Sequence, residues 1–171
     1  MSRRRQKSKA MAAPTKSVEK NSGGFTLIEL MICITIIIII AAVTIPNLLR
    51  SRMVSNEGAA IANLRTITSA EQQFQSAGVL RDVVGVGQYG TLLQLAAPVP
   101  AYIDTPLALG QRQGYNYIVV PGGIAGAPTF TSNANPVVMD GTGSKGFFVD
   151  NSGVITWVAG AVAGPTDRPV H

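Results

Sequence analysis

Apolar residues form one long block near the start of the chain. Residues 25–45 contain a single charged side chain, that of Glu29, and otherwise only apolar residues and three threonines. A helix of this length is about 30 Å long, which is the thickness of the hydrocarbon core of a bilayer. The block therefore predicts a membrane-spanning helix over residues 25–45.

Beyond the block, apolar residues recur at spacings of three and four. The positions are Ile61, Leu64, Ile67, Ala70 and Phe74, within residues 48–77, which contain one glycine and no proline. This spacing places an apolar stripe on one face of a helix, and such a stripe packs against another element. We predict one long helix over residues 25–77, apolar all round in its first half and amphipathic in its second.

Two residues are expected to weaken this helix. Pro46 lacks a backbone N–H and its ring clashes with the carbonyl of Ala42, so a kink or local melting is predicted there. Gly58 is a second weak point because glycine is a poor helix former. Prolines are also tolerated in membrane helices, so an interpretation in which Pro46 has no functional role carries equal weight.

We predict a connecting loop over residues 78–114, because three prolines there prevent any long helix or strand. These are Pro98, Pro100 and Pro106. One short helical piece is predicted within the loop, over residues 89–95.

Several segments after the loop are rich in aromatic and β-branched residues, which are typical of strands. The segments are residues 115–120, 129–132, 146–149 and 154–158, with 137–139 as a further candidate. Residues 150–153 have the composition of a hairpin turn between the last two strands. We predict an antiparallel sheet of three to five strands over residues 115–158 and a flexible tail over 159–171. The fold class is therefore α+β.

Charge is distributed unevenly along the chain. Residues 1–24 contain seven Lys or Arg residues and one Glu, a net +6, and subtracting this from the whole-chain +5 leaves −1 for the rest. The basic segment beside the span predicts that the N-terminus stays in the cytoplasm and the C-terminal part is exported. Nucleic-acid binding is not expected of residues 25–171, since nearly all of the basicity lies before them.

Glu29 is the most informative residue for function. A carboxylate within a bilayer costs on the order of 2.5–3.5 kcal/mol even on lenient insertion scales, so it requires a cation as partner. No Lys or Arg lies within residues 25–45. The nearest candidate cation is the α-amine that a cut between Gly24 and Phe25 would create. The chain is therefore interpreted as a precursor with a removable leader.

The segment Gly-Gly-Phe-Thr-Leu-Ile-Glu-Leu at residues 23–30 closely resembles the processing signature of type IV prepilins, and Pro46 falls where that family carries a proline in its long helix. The match covers residues 23 to about 60. The resemblance implies the pilin fold, in which the long helix packs on a small antiparallel sheet. It also implies cleavage by a prepilin peptidase after Gly24 and N-methylation of Phe25.

The resemblance further implies a self-assembling filament. The subunit would wait in the inner membrane with its N-terminus inside and its C-terminal part outside, in contact with lipid and an assembly platform. Glu29 would then pair with the Phe25 amine of a neighbouring copy, and the stretch from Pro46 to Gly58 would extend during assembly. The filament is either an extracellular pilus serving adhesion, motility or DNA uptake, or the periplasmic pseudopilus of type II protein secretion.

Three other interpretations were weighed against this one. A secretory signal peptide would be cut after the apolar block, but residues 46–50 there are not small. A membrane anchor for an exported binding module that never polymerises accounts for the block but leaves Glu29 and Gly24 unexplained. Met11 is an alternative start that would leave a shorter leader with little charge.

Enzymatic activity is not predicted. The single histidine, His171, is the last residue, and the single cysteine, Cys33, lies in the apolar block, so no His- or Cys-based catalytic or metal set can form. Residues 141–146 match G-x-G-x-x-G but lead into a predicted strand rather than a helix, which excludes the phosphate-binding geometry.

No cofactor is expected, with calcium as the one candidate. Major pseudopilins, which this family includes, bind calcium near their C-terminal strands. Asp140, Asp150 and Asn151 supply hard oxygen ligands in glycine-containing loops. Turn formation alone also explains these residues.

Overall fold

The computed structural model describes residues 24–170. Residues 1–23 of the predicted leader, including the alternative start Met11, and His171 at the end of the predicted tail lie outside the described residues. The chain divides into two compact units, the first ending at Ile40 and the second beginning at Ala41.

Helix α1 spans Leu27–Ala77, which confirms the predicted long helix to within two residues. It begins after Thr26, whose carbonyl accepts the Leu30 N–H at 3.2 Å. The helix is uninterrupted at Pro46 and Gly58, so the structure shows no local melting at either residue. One proline removes a single hydrogen bond, and the neighbouring turns keep theirs.

The connecting segment after α1 contains more helix than the sequence predicts. Helix α2 covers Leu92–Ala96 rather than residues 89–95, because Thr91 and Gln94 form a capping box that fixes its first turn. A second short helix, α3, covers Thr105–Ala108 and was not predicted. Pro106 lies in the first turn of α3, where the missing N–H has no partner within the helix, so this proline is compatible with the element.

The sheet has six strands in the order of the sequence, and every neighbouring pair is antiparallel. The strands are β1 Gln111–Arg112, β2 Tyr115–Ile124, β3 Ala127–Pro136, β4 Lys145–Asp150, β5 Ile155–Ala159 and β6 Arg168–Pro169. Four of them cover the four segments predicted most clearly. The other two, β1 and β6, are two residues long and too short to have a sequence pattern of their own.

Strands β2 and β3 are longer than predicted. They pair over ten residues each, including the pair of Pro121 with Phe130. Pro121 is tolerated because β1 covers β2 only at Tyr115 and Asn116, which leaves the outer edge of β2 at Pro121 without a strand partner. The hairpin turn predicted over residues 150–153 joins β4 to β5.

The strand candidate at residues 137–139 is wrong. The carbonyl of Val138 accepts the N–H groups of both Gly141 and Thr142, at 3.1 and 2.9 Å, so the chain turns at this point. Asp140 has a φ of +58°, which is incompatible with an extended strand. Local turn formation overrides the β-branched composition of the segment.

The predicted flexibility of residues 159–171 is wrong for the described part of that tail. The tail folds back on the sheet, where Arg168–Pro169 forms β6 beside β5. The Thr156 hydroxyl on β5 donates to the carbonyl of Gly164 at 2.6 Å, and Ala163 is buried. These contacts come from the strand directly before the tail, and the composition of the tail gives no sign of them.

The core of the second unit lies between the amphipathic half of α1 and one face of the sheet. Leu64, Ile67 and Phe74 from the predicted stripe are fully buried in the same hydrophobic cluster as Tyr115 and Phe147 of the sheet. The α+β architecture with a long helix packed on an antiparallel sheet is confirmed.

Candidate functional site

The site predicted for assembly lies at the start of α1. Phe25 is 81 % exposed, and the large apolar side chains that follow it in the first unit are exposed on all sides of the helix. This is the one helix, among residues 24–170, that is long and apolar enough to cross a membrane, and length and composition alone are weak support for a span. An exposed apolar surface of this extent requires lipid or protein to cover it.

Gly24 has no packing role in the described chain. A Cβ added at this position would meet no atom within 4 Å, and its φ is not in the positive region that requires glycine. Neither sterics nor backbone strain therefore explains the glycine.

Glu29 lies in the first turn of α1. Its backbone N–H donates to the Thr26 hydroxyl at 3.3 Å, which is one half of the capping box that the sequence Thr-x-x-Glu can form. Neither of the two ion pairs within residues 24–170 involves Glu29. In this uncut chain the nitrogen of Phe25 belongs to a peptide bond, so the cation predicted to pair with Glu29 does not yet exist.

The structure brings Phe25 and Glu29 together at the start of one helix, four residues apart. Pro46 is exposed within the same helix and belongs to the second unit. The roles predicted for Phe25, Glu29 and Pro46 all lie in contacts with other chains.

Two buried acids on α1 were missed by the sequence analysis. The first, Glu57, is only 6 % exposed and pairs with Lys145 at 2.9 Å. Its carboxylate also accepts the N–H and the hydroxyl of Ser144, at 3.0 and 2.8 Å. Burial raises the pKa of Glu57, but the hydrogen bonds from Ser144 and Lys145 outweigh it and hold the pKa below its usual value. Glu57 therefore joins α1 to the start of β4.

The second buried acid, Glu71, has 0 % exposure and only one hydrogen bond. Its Oε2 accepts the Gly90 N–H at 2.9 Å, while Oε1 has no partner among the described residues. Burial raises the pKa of Glu71 to about 7, although the Gly90 hydrogen bond works in the opposite direction. Burial raises the pKa of the Tyr89 hydroxyl, and the charge of Glu71 raises it further.

The calcium candidates lie in two separate loops. Asp150 Oδ1 accepts the Ser152 N–H at 2.9 Å, as expected of a turn residue, and Asn151 is exposed in that same turn. Asp140 belongs to the turn before β4. Within residues 24–170, no group of three or more His, Cys, Asp or Glu side chains could hold a metal ion.

A family profile described as the prokaryotic N-terminal methylation motif matches residues 20–45. The matched region contains the Gly24–Phe25 bond, Glu29 and the apolar helix of the site described above. The N-terminal segment of this chain therefore carries the prokaryotic N-terminal methylation motif.

Two curated proteins that are named as components of type IV pili are similar to part of this chain. The type IV wide pilus major component of Thermus thermophilus is 46 % identical over 56 residues, which are 33 % of this chain and 43 % of the relative. The type IV major pilin protein of Myxococcus xanthus is 45 % identical over 53 residues, 31 % of this chain and 24 % of the relative. The matches therefore span less than half of either relative. No solved structure matches the chain.

Both relatives are named as major components of type IV pili. The similarity favours the prediction that this chain is not an enzyme.

Proposed function

We propose that this chain is the precursor of a structural subunit of a type IV pilus-like filament. A prepilin peptidase cuts it after Gly24 and the new N-terminal Phe25 is N-methylated. The mature subunit then assembles with copies of itself through its apolar helix. The observation that carries the proposal is the exposed apolar start of α1 with Glu29 as its only charge.

Before assembly, the mature helix needs an apolar environment, and the inner membrane supplies it. The charge of the leader favours a single pass with the N-terminus inside and the folded unit outside. The assembly platform then moves the subunit from lipid into the filament, where neighbouring helices replace lipid around α1. Glu29 pairs with the Phe25 amine of an adjacent copy, and the stretch from Pro46 to Gly58 is proposed to extend during this transfer.

A pilus is favoured over the pseudopilus of type II secretion because both relatives are named as pilus components. A membrane-anchored binding module that does not polymerise is the remaining alternative. Such a module requires neither the cut after Gly24 nor a charge at Glu29.

Gly24→Val is expected to block processing of the precursor. A branched side chain beside the scissile bond would prevent the peptidase from accepting it, and the structure gives the substitution open space, so the folded unit should be unaffected. Intact-mass measurement of the membrane fraction should show the uncut chain for Gly24→Val and a chain beginning at Phe25 for the unaltered protein.

Cys33→Ala is the matched control for the processing experiment, since it changes the apolar helix without altering the cut bond. It should be processed like the unaltered chain. A mature N-terminus downstream of Ile45 in the unaltered protein would instead identify a secreted soluble protein and would contradict the proposal.

The mature subunit is proposed to need no cofactor. The melting temperature of the full chain in detergent, followed by fluorescence of Trp157, should therefore not change on addition of millimolar calcium or a chelator. Asp140→Asn and Asp150→Asn provide matched controls. A rise with calcium that these substitutions abolish would instead support a calcium site and favour the pseudopilus.

A further inference from the structure

Two arginines follow the apolar block of α1 directly. Arg50 and Arg52 are exposed, and they are the only charged residues between Glu29 and Glu57. Neither arginine takes part in either of the two ion pairs within residues 24–170. Basic residues on the exported side of a span also oppose the orientation that the basic leader favours. These two charges therefore have a cost that the folded unit does not offset.

Neighbouring residues of the helix cannot neutralise the two arginines. A side chain on a helix contacts the residues three and four positions away, and none of those positions holds an Asp or Glu for either arginine. The next acid along the helix is Glu57, whose carboxylate already binds Lys145 and Ser144. The counter-charge of the arginines therefore has to come from another molecule.

The position of the arginines along α1 indicates which anion lies within reach. From Ile45, the last residue of the apolar block, the helix rises about 8 Å to Arg50 and about 11 Å to Arg52. The headgroup layer of a bilayer extends about 5–8 Å beyond the hydrocarbon core. An arginine near the end of a span turns its long side chain back toward this layer. With the apolar block in the membrane, both guanidinium groups reach the lipid phosphates.

The folded unit leaves this part of α1 uncovered. The hydrogen bonds of α1 with the loop before β4 begin at Asn56 and Glu57, beyond the arginines. Leu48 and Leu49, directly before the arginines, are exposed apolar residues. A sequence of apolar residues, arginines and then a folded unit matches the order of hydrocarbon, headgroups and water. Since two residues along a helix differ by about 200° around its axis, the two arginines lie on different sides and can contact separate lipids.

The chemistry of arginine suits a lipid phosphate. A guanidinium group donates two parallel hydrogen bonds to phosphate oxygens, which a point charge cannot do. A zwitterionic lipid carries a positive group beside its phosphate, whereas an anionic lipid carries net negative charge. Each basic residue near a surface of anionic lipid contributes about a fivefold preference for that surface.

We infer that Arg50 and Arg52 form a binding site for the phosphate groups of anionic lipids, in the leaflet opposite the leader. The site holds the beginning of the folded unit at the membrane surface until the subunit is assembled. The inference rests on the membrane placement in the proposed function and adds to it a class of lipid and the residues that bind it. Because the site acts before assembly, its test does not require filaments.

Quenching of a fluorophore by labelled lipids tests the site in vesicles. Asn47→Cys, in a full chain that carries Cys33→Ala, places the fluorophore about one turn before Arg50. The chain is reconstituted in phosphatidylcholine vesicles that contain a small share of nitroxide-labelled phosphatidylglycerol or of phosphatidylcholine with the same label. Because a nitroxide quenches only nearby fluorophores, the ratio of the two quenching efficiencies measures the enrichment of anionic lipid beside residue 47 rather than beside the leader.

The chain with both arginines should show an enrichment of phosphatidylglycerol of about fivefold or more. Arg50→Gln combined with Arg52→Gln should lower the enrichment to about one, and high salt should reduce it by screening. Arg65→Gln is the matched control, because Arg65 is exposed on the same helix and forms neither of the two ion pairs within residues 24–170. It lies about 30 Å beyond Ile45, out of reach of the headgroups, so its substitution should leave the enrichment unchanged.

Equal quenching by the two lipids, or none by either, in the chain with both arginines would overturn the inference. A preference for phosphatidylglycerol that survives the double substitution would do the same. So would a chain without lipid preference whose double variant gives a lower filament yield, since the arginines would then bind a second copy. Failure of the proposed function has a separate sign, which is that the unaltered chain forms no filaments whatever the vesicles show.

Discussion

Glu29→Ala is expected to reduce incorporation into filaments by about tenfold or more in competition with the unaltered subunit. In the filament core, the loss of one partner leaves the α-amine of Phe25 on the neighbouring chain buried without a counter-charge, which costs on the order of 2–5 kcal/mol. Much of the attraction is offset by desolvation, so the pair mainly selects the register in which subunits dock. Processing after Gly24 and membrane insertion should remain intact.

Glu29→Gln separates the ion pair from the capping of the helix. Glutamine can replace glutamate in a capping box with Thr26, but it has no charge for the amine. Thr26→Ala is the matched control, because it removes the hydroxyl that accepts the Glu29 N–H and costs about 1 kcal/mol of helix stability. If pairing is the role of Glu29, Glu29→Gln should assemble poorly and Thr26→Ala should assemble better than either Glu29 variant.

The competition experiment measures the ratio of variant to unaltered chains in membranes and in sheared filaments by mass spectrometry. Equal ratios in the two fractions for both Glu29 variants would contradict the carboxylate–amine mechanism. The membrane-anchored module that does not polymerise would then be the better interpretation.

Glu71→Gln is expected to remove a pH dependence of the stability of the folded unit. The pKa of Glu71 is raised from 4.5 to about 7 by burial. Between these values the unfolded chain has lost the proton and the folded chain keeps it, so stability falls as pH rises. The fall amounts to about 3 kcal/mol, and it is complete once pH exceeds the folded pKa. At pH 8, Glu71→Gln should therefore be more stable than the unaltered chain.

Glu57→Gln is the matched control, because the pH dependence of stability that Glu57 contributes has the opposite sign. Because the pKa of Glu57 is lowered in the folded state, its contribution is present at neutral pH and is lost as pH falls through that lowered value. Thermal unfolding of the full chain in detergent, followed by fluorescence of the single tryptophan Trp157, measures both effects if the pH series runs from pH 8 to well below pH 4, where the Glu57 contribution is lost. A flat pH profile for the unaltered chain between pH 5 and pH 7, or an unchanged slope in Glu71→Gln, would show that Glu71 is not responsible.

The sequence predicts the features that depend on periodicity or on one long pattern. The apolar block and the stripe through Leu64 and Phe74 are sufficient to predict α1 and its buried face. The proposed site residues Gly24 and Glu29 follow from the high physical cost of a lone acid in an apolar run. These are properties of neighbouring residues, so no tertiary information is needed to recognise them.

The features that the sequence does not predict depend on contacts between distant residues. Glu57 and Glu71 look like ordinary surface acids of a helix, but Ser144 and Gly90, which bind them, lie 87 and 19 residues away. Asp82 likewise accepts the N–H of Gly126, which lies 44 residues away and in another loop. The tail after Ala159 is a different case: its composition is that of a flexible end, yet it folds back on β5, the strand directly before it.

The most direct test of the proposed function is the identity of the subunit in sheared surface filaments. Filaments from cells expressing the unaltered chain are purified, and the intact mass and N-terminal sequence of their subunit are determined. The proposal predicts a chain that begins at N-methylated Phe25 and contains residues 25–171. Filaments that lack this chain, or a chain found only in membranes with its leader uncut, would contradict the assignment as a type IV pilus-like subunit.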